Sequence, residues 1–317
     1  MARDGLFRGA RPYFPSEKEG VLRAGKPLER RASPQSRSLT SVAMFKQREA
    51  IIRLLKDSDP ETVDLTKRQL ARGGFATIPD LRDLLSTDDK RVTQHVREIL
   101  TEIELKYANE RFDRLCETIA DLPDLEQASW YLAQIFQPDV DIEPYQRTVD
   151  AWGHTLRGRL STCSSDMSRA LTIGHYLGKE LGLRGNEDDY FNARNSLLPC
   201  VIESRLGIPI SLSVVYMIVA RRAACVVDGI ILHRHFVVRH GTVLLDPFNQ
   251  GRILTTSDCE QILPRQNHTQ HQDLLQSANP KLILYRMLAN LLYIFQHEQD
   301  GSSYKMIMRW IHRLDQK

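Results

Sequence analysis

The sequence predicts an α+β protein, mostly helical, in which a central helix packs on a small antiparallel sheet. Three observations carry this. Apolar residues recur at three- and four-residue spacing through most of the chain, the pattern of helices with one buried side. Residues 209–223 are apolar on more than one face, so that helix belongs inside the protein. Directly after it the period changes: residues 226–232, 235–239 and 242–245 read as strands, with His240-Gly241 as the turn between the last two.

At 317 residues the chain is long enough for a real core and for two or three packed units. A net charge of +3 sets up no strong field for nucleic acid or a membrane surface, and the basic residues are spread rather than clustered. No stretch approaches the roughly 18 apolar residues that span a bilayer. The five cysteines, Cys116, Cys163, Cys200, Cys225 and Cys259, are widely spaced and odd in number, with no CxxC pair and no zinc spacing. A reducing, cytoplasmic setting and no metal or cofactor are therefore expected.

Residues 1–42 are rich in Arg, Ser, Pro and Gly without apolar periodicity, and are expected to be a disordered tail. Residues 43–136 read as a helical domain. Phe45, Ile51, Ile52, Leu54 and Leu55 mark a first helix. Pro60 and Glu61 restart the chain, and the Gly73-Gly74 pair stops the second helix. Leu81, Leu84 and Leu85 form a brief third element. Ser86 or Thr87 is the expected cap of the next helix, which carries Val92, Val96, Ile99, Leu100 and Ile103. Leu115, Ile119, Leu122, Leu125, Trp130, Leu132 and Ile135 continue the theme, as stacked helical pairs would.

Residues 137–263 form the expected core with its leading helices, near 144–160 and 166–181. Asn195 and Ser196 are placed to cap a short helix that Gly207 ends. Pro209 opens the central helix, where its missing N–H costs nothing. The first-turn N–H groups near Ile210, Ser211 and Leu212 can serve an anion or a developing oxyanion. His235 and Asp246 fall on neighbouring strands facing the helix head. A nucleophile, an imidazole and an orienting carboxylate need that arrangement, although a lone histidine and aspartate on a small sheet are structural more often than catalytic. After an irregular stretch, residues 280–317 read as a helical hairpin, the second helix capped by Ser302 or Ser303.

GIPISLSVVYMIVARR, followed by HRHFVVRHGTVLLDPFNQGRILT and preceded by GLRGNEDDYFNARNSLLPCVIESRLG, resembles the transglutaminase-like superfamily. It is most similar to the SirB-type branch, whose core also appears within some F-box proteins. The resemblance implies a papain/transglutaminase-like core, and the C-terminal hairpin resembles a tetratricopeptide-like pair. Enzymes of the wider superfamily carry a cysteine at the head of the central helix, then a histidine and an aspartate. His235 and Asp246 match the latter two. The helix head here holds Pro209, Ile210, Ser211, Leu212 and Ser213, with no cysteine. His233 and Arg234 stand where the branch tends to read Pro-Gly before the histidine.

Three functions remain open. One is a non-catalytic regulatory or interaction protein that meets a protein partner through its helical flanks. Another is a serine-dependent amide hydrolase or acyl transferase using Ser211, His235 and Asp246, with Arg205, Ser213, Tyr216 and Arg234 lining the cleft. The third is anion binding at the helix head, helped by Arg234. Whether the protein is an enzyme stays undecided at this level.

Overall fold

The computed structural model describes residues 48–232, 235–255, 257–258 and 276–315. The tail at 1–42, Phe45, His233, Arg234, Cys259, His268 and His271 lie outside the described residues.

Two apolar cores are strung along one long helix. Helices α1 (Arg48–Leu55), α2 (Pro60–Arg72) and α3 (Ile78–Leu84) pack on the first half of α4 (Lys90–Thr118). Their buried set is Ile51, Leu55, Leu70, Ile78, Leu81, Leu84 and the α4 residues Val92 to Ile103. The second half of α4 contributes Ala108, Phe112 and Cys116 to the main core instead. The expected short helical pairs are thus joined by a single helix of 29 residues. The long helix belongs to both cores because its apolar stripe drifts around the axis, 3.6 residues per turn never closing on a seven-residue repeat.

Two helix starts are set by carboxylates rather than by the hydroxyls expected, those at Lys90 and Gly301. Asp89, not Ser86 or Thr87, caps α4 by accepting from the N–H groups of Arg91 and Val92. A carboxylate there supplies both the hydrogen bond and the charge that suits a helix N-terminus. Gly73 ends α2, and Gly74 follows at φ +65, a conformation open to glycine.

In the main core, α5 (Leu122–Phe136), α6 (Glu143–Leu160) and α7 (Asp166–Gly174) lead to the centre, α7 continuing as a π-helical stretch over His175–Glu180. A parallel two-strand pair follows, β1 (Arg184–Gly185) with β2 (Leu206–Gly207). Between them lies α8 (Leu198–Ser204). Asn195 and Ser196 sit in the 3-10 turn Ala193–Ser196, which Asn192 caps. The Asn195 amide is engaged elsewhere, donating to the carbonyls of Asp189 and Tyr190. Helix α8 ends at Arg205, at φ 65, rather than at Gly207.

The central helix α9 (Pro209–Arg222) matches its expected span within a residue, and every residue from Pro209 to Ala220 is buried. It packs on α6 on one side and on the sheet on the other. The sheet is an antiparallel meander of β3 (Asp228–Leu232), β4 (His235–His240), β5 (Val243–Asp246) and β6 (Arg252–Ile253). The β4–β5 turn is Gly241-Thr242, one residue later than expected, because His240 still pairs with Val243. β6 had no strand signal: two residues are too short to show a period. Phe236, Val238, Val243 and Leu245 enter the main core, while Val237, Leu244, Ile230, Leu232 and Leu254 form a small cluster of their own.

The hairpin α10 (Pro280–His297) and α11 (Gly301–Asp315) closes the core. α10 packs on α5 and α9, and α11 packs on α4. Asp300 takes the capping role expected of Ser302 or Ser303, accepting from both of their backbone N–H groups at 3.1 Å. Trp310 is fully buried and donates to Asp113 at 2.8 Å, tying the chain end to the long helix.

Candidate functional site

His235 opens β4 and Asp246 ends β5; the register, with Val238 opposite Leu245, sets them diagonally across the strand pair rather than directly opposite. His235 Nε2 lies 3.1 Å from Asp246 Oδ1. A carboxylate only accepts, so in the neutral ring the proton sits on Nε2 and Nδ1 keeps its lone pair. Asp246 also organises the turn that follows: Oδ1 accepts from the N–H groups of Phe248 and Asn249, and Oδ2 accepts from the Asn249 amide at 2.7 Å. Burial alone would raise this carboxyl. The hydrogen bonds from His235 and Asn249 outweigh burial and hold it below the ordinary aspartate value.

The central helix meets this pair through Tyr216, two turns in from its start. Burial, then the Asp246 charge, pushes the Tyr216 phenol far up, so it stays protonated. Its hydroxyl has no hydrogen-bond partner among the described residues. Gly251, at φ +69, passes so close that a Cβ built there would sit 2.8 Å from that hydroxyl.

Ser211 is differently engaged. Its Oγ accepts from the Ile208 N–H at 3.1 Å and lies 2.5 Å from the Asn195 carbonyl, to which it donates. The hydroxyl therefore closes the helix start against the loop at 195. Five residues separate it from Tyr216, about 140° around the helix. Ser213 lies nearer the Tyr216 face and is fully buried, its hydroxyl without a partner among the described residues. No hydrogen bond among the described residues joins either serine to His235. Arg205 is turned away from the pair: its guanidinium stacks 4.4 Å over the Trp152 ring and donates to the Ile202 carbonyl. Arg234, the remaining expected cleft residue, lies outside the described residues.

Neither nearby thiol reaches His235. Cys200 donates to the Gln137 side chain at 3.3 Å. Cys225 lies 3.5 Å from Nδ1 of a second histidine, His240, whose Nε2 stands 3.7 Å from Asp166. This Cys–His–Asp grouping is not an activated nucleophile. His240 Nδ1 is also 2.8 Å from the Val226 carbonyl, an acceptor only, so that nitrogen carries the proton and cannot take one from sulfur. Burial pushes the Cys225 thiol up as well, away from the thiolate.

The sequence also gave no warning of a buried carboxylate clamp. Glu126 accepts from Arg221 at 2.6 Å, from two nitrogens of Arg222 and from the Trp130 indole. The available signal was a single charge in the apolar run LPDLEQASWYLAQIF, together with an arginine pair at the far end of the central helix. Among the described residues no group of acidic, histidine and cysteine side chains could hold a metal ion. Among the same residues no helix is long and apolar enough to cross a membrane.

Comparison with known proteins agrees with this architecture. Residues 143–289 match the family model described as the transglutaminase-like superfamily. A UPF0162 protein of Xylella fastidiosa is 36% identical over 168 residues, which are 50% of this chain and 60% of that protein. F-box only protein 21 of Mus musculus is 32% identical over 149 residues, 43% of this chain and 23% of that protein. The human F-box only protein 21 is 31% identical over the same length. The chain thus spans about 60% of the UPF0162 relative and under a quarter of the F-box relative. No solved structure matches it. The helix-on-meander core lies within residues 143–289, the stretch that is similar to the transglutaminase-like superfamily.

Proposed function

We propose that this is a non-catalytic regulatory or protein-interaction protein of the SirB-type branch. In this reading the transglutaminase-like core is a scaffold. The partner contacts are made by the helical flanks, residues 43–136 and the 280–317 hairpin, around a core of 137–263. The observation that carries it is the state of Ser211: its hydroxyl proton is directed to the Asn195 carbonyl, and no cysteine stands at the helix head. A serine needs an aligned base to attack a carbonyl, and this one closes a helix start instead. The shared core in F-box only protein 21 agrees with a role in protein contact. Four described cysteines are free thiols, which suits a cytoplasmic setting.

The second reading is a serine-dependent amide hydrolase or acyl transferase. The His235–Asp246 pair favours it, since the ring is oriented with one nitrogen left to act as a base. A screen of amide hydrolysis and amine-to-amide acyl transfer decides between the two. The interaction reading predicts equal background rates for the wild type and His235→Ala. A rate that falls on that substitution would establish the enzyme.

A further inference from the structure

Helix α10 carries a cation that no carboxylate among the described residues neutralises. Arg286 is half-buried on α10 within electrostatic reach of Tyr190, and among the described residues it has no carboxylate, hydrogen-bond or ring-stacking partner. Elsewhere the molecule supplies such partners: Arg205 has Trp152 and a carbonyl, Arg221 and Arg222 have Glu126. A guanidinium taken out of water without a counter-charge is costly, and arginine cannot shed its proton to escape the cost. The ionisable neighbour that acts on Arg286 is Tyr190: burial pulls the guanidinium down and pushes the Tyr190 phenol up, and their mutual interaction opposes both shifts without cancelling them.

From Arg286 a strip of aromatic surface runs along the same helix. Arg286, Tyr293 and His297 are spaced seven and four residues apart and so share one face. Phe191, 61% exposed, packs at a tilt on Tyr293 with ring centres 5.3 Å apart, and Tyr293 likewise on His297 at 4.3 Å. Phe191, Tyr293, Ile294, His297 and Glu298 line an open, mostly apolar depression. Tyr190 links the strip to the His235–Asp246 pair, its ring 6.1 Å from Phe248, which is 6.3 Å from His235.

We propose that this strip binds the C-terminal end of a peptide, its carboxylate on Arg286 and Tyr190 and an apolar side chain on Phe191 and Tyr293. The planar guanidinium fits a carboxylate through two parallel hydrogen bonds, and the Tyr190 hydroxyl adds a third donor. Seven helical residues separate Arg286 from Tyr293, a rise of about 10 Å, which about three residues of extended chain span. Glu298 at the far end disfavours a second negative charge there. The site stands whether or not the core retains any turnover.

Calorimetric titration of the full chain with acetyl-Phe-Ala-Ala, its C-terminal amide and 3-phenylpropionate tests this. The tripeptide acid should bind at least about tenfold tighter than the amide, and Arg286→Met should erase that difference, the effect of losing one charge-assisted contact. Phenylpropionate, too short to reach both ends, should bind more weakly than the tripeptide. Without ligand, Arg286→Met should melt no lower than the wild type. Equal binding of acid and amide overturns the proposal, as does phenylpropionate matching the tripeptide. A sharply lowered melting temperature for Arg286→Met would also overturn it, because the chain itself would then supply the counter-charge.

Discussion

Replacing Glu126 by Gln should cost the protein about 3–5 kcal/mol, the range for breaking a buried ion pair from one side. The carboxylate is 7% exposed, and the Arg222 guanidinium bound to both its oxygens is 20% exposed, so water screens this contact little. Arg221 is 40% exposed, so its bond adds less. The clamp fixes the C-terminal end of α9 to α5, and its loss loosens the central helix where Arg222 also meets Asp150. Burial would raise the Glu126 carboxyl, yet the Arg222 and Arg221 contacts win and hold it below the ordinary glutamate value. A depressed carboxylate stabilises above its unfolded pKa. The wild-type advantage should therefore be complete above about pH 4.5 and fade as pH falls below that. Urea unfolding followed by tryptophan fluorescence suits the question, because Trp130 donates to the same carboxylate. A cost below about 1 kcal/mol, or an advantage unchanged down to about pH 3, would refute the reasoning.

Other substitutions test separate contacts. Ser211→Ala should destabilise by about 1–3 kcal/mol by leaving a buried N–H and a buried carbonyl unpaired, without altering any turnover; denaturation alongside the amide screen checks both halves. Asp246→Asn should cost about 1.5–3 kcal/mol at neutral pH. That deficit should shrink as pH falls below about 3.9, since the native carboxylate is depressed and its contribution disappears on protonation. Gly178→Ala places a Cβ 1.9 Å from the Gln250 carbonyl, which is backbone and cannot swing aside. It should lose about 1–3 kcal/mol or more, whereas Gly158→Ala, with nothing within 4 Å, should gain about 0.5–1 kcal/mol in thermal melts.

The central helix was legible because Pro209 and the break after Arg222 bound a run that is apolar all round, and only an interior helix has that pattern. The three longer strands were legible because Ile230 to Leu232, Phe236 to Val238 and Val243 to Leu245 are short apolar runs bounded by polar and turn residues. Two helix caps were misplaced because a hydroxyl stood near an aspartate: Asp89 does the capping expected of Ser86 or Thr87, and Asp300 that expected of Ser302 or Ser303. The pairing of His235 with Asp246 follows from strand order, which the sequence implies. The engagement of Ser211 with Asn195 depends on where a loop sixteen residues upstream folds back, which no local pattern encodes. The Glu126 clamp joins residues 96 apart and is invisible for the same reason.

The account rests on a serine whose hydroxyl is committed to the backbone. Treatment with a fluorophosphonate, which reacts only with activated serines, followed by peptide mass spectrometry, measures this directly. The prediction is no adduct on Ser211 or Ser213 in the wild type. An adduct on either serine that disappears in His235→Ala would contradict it.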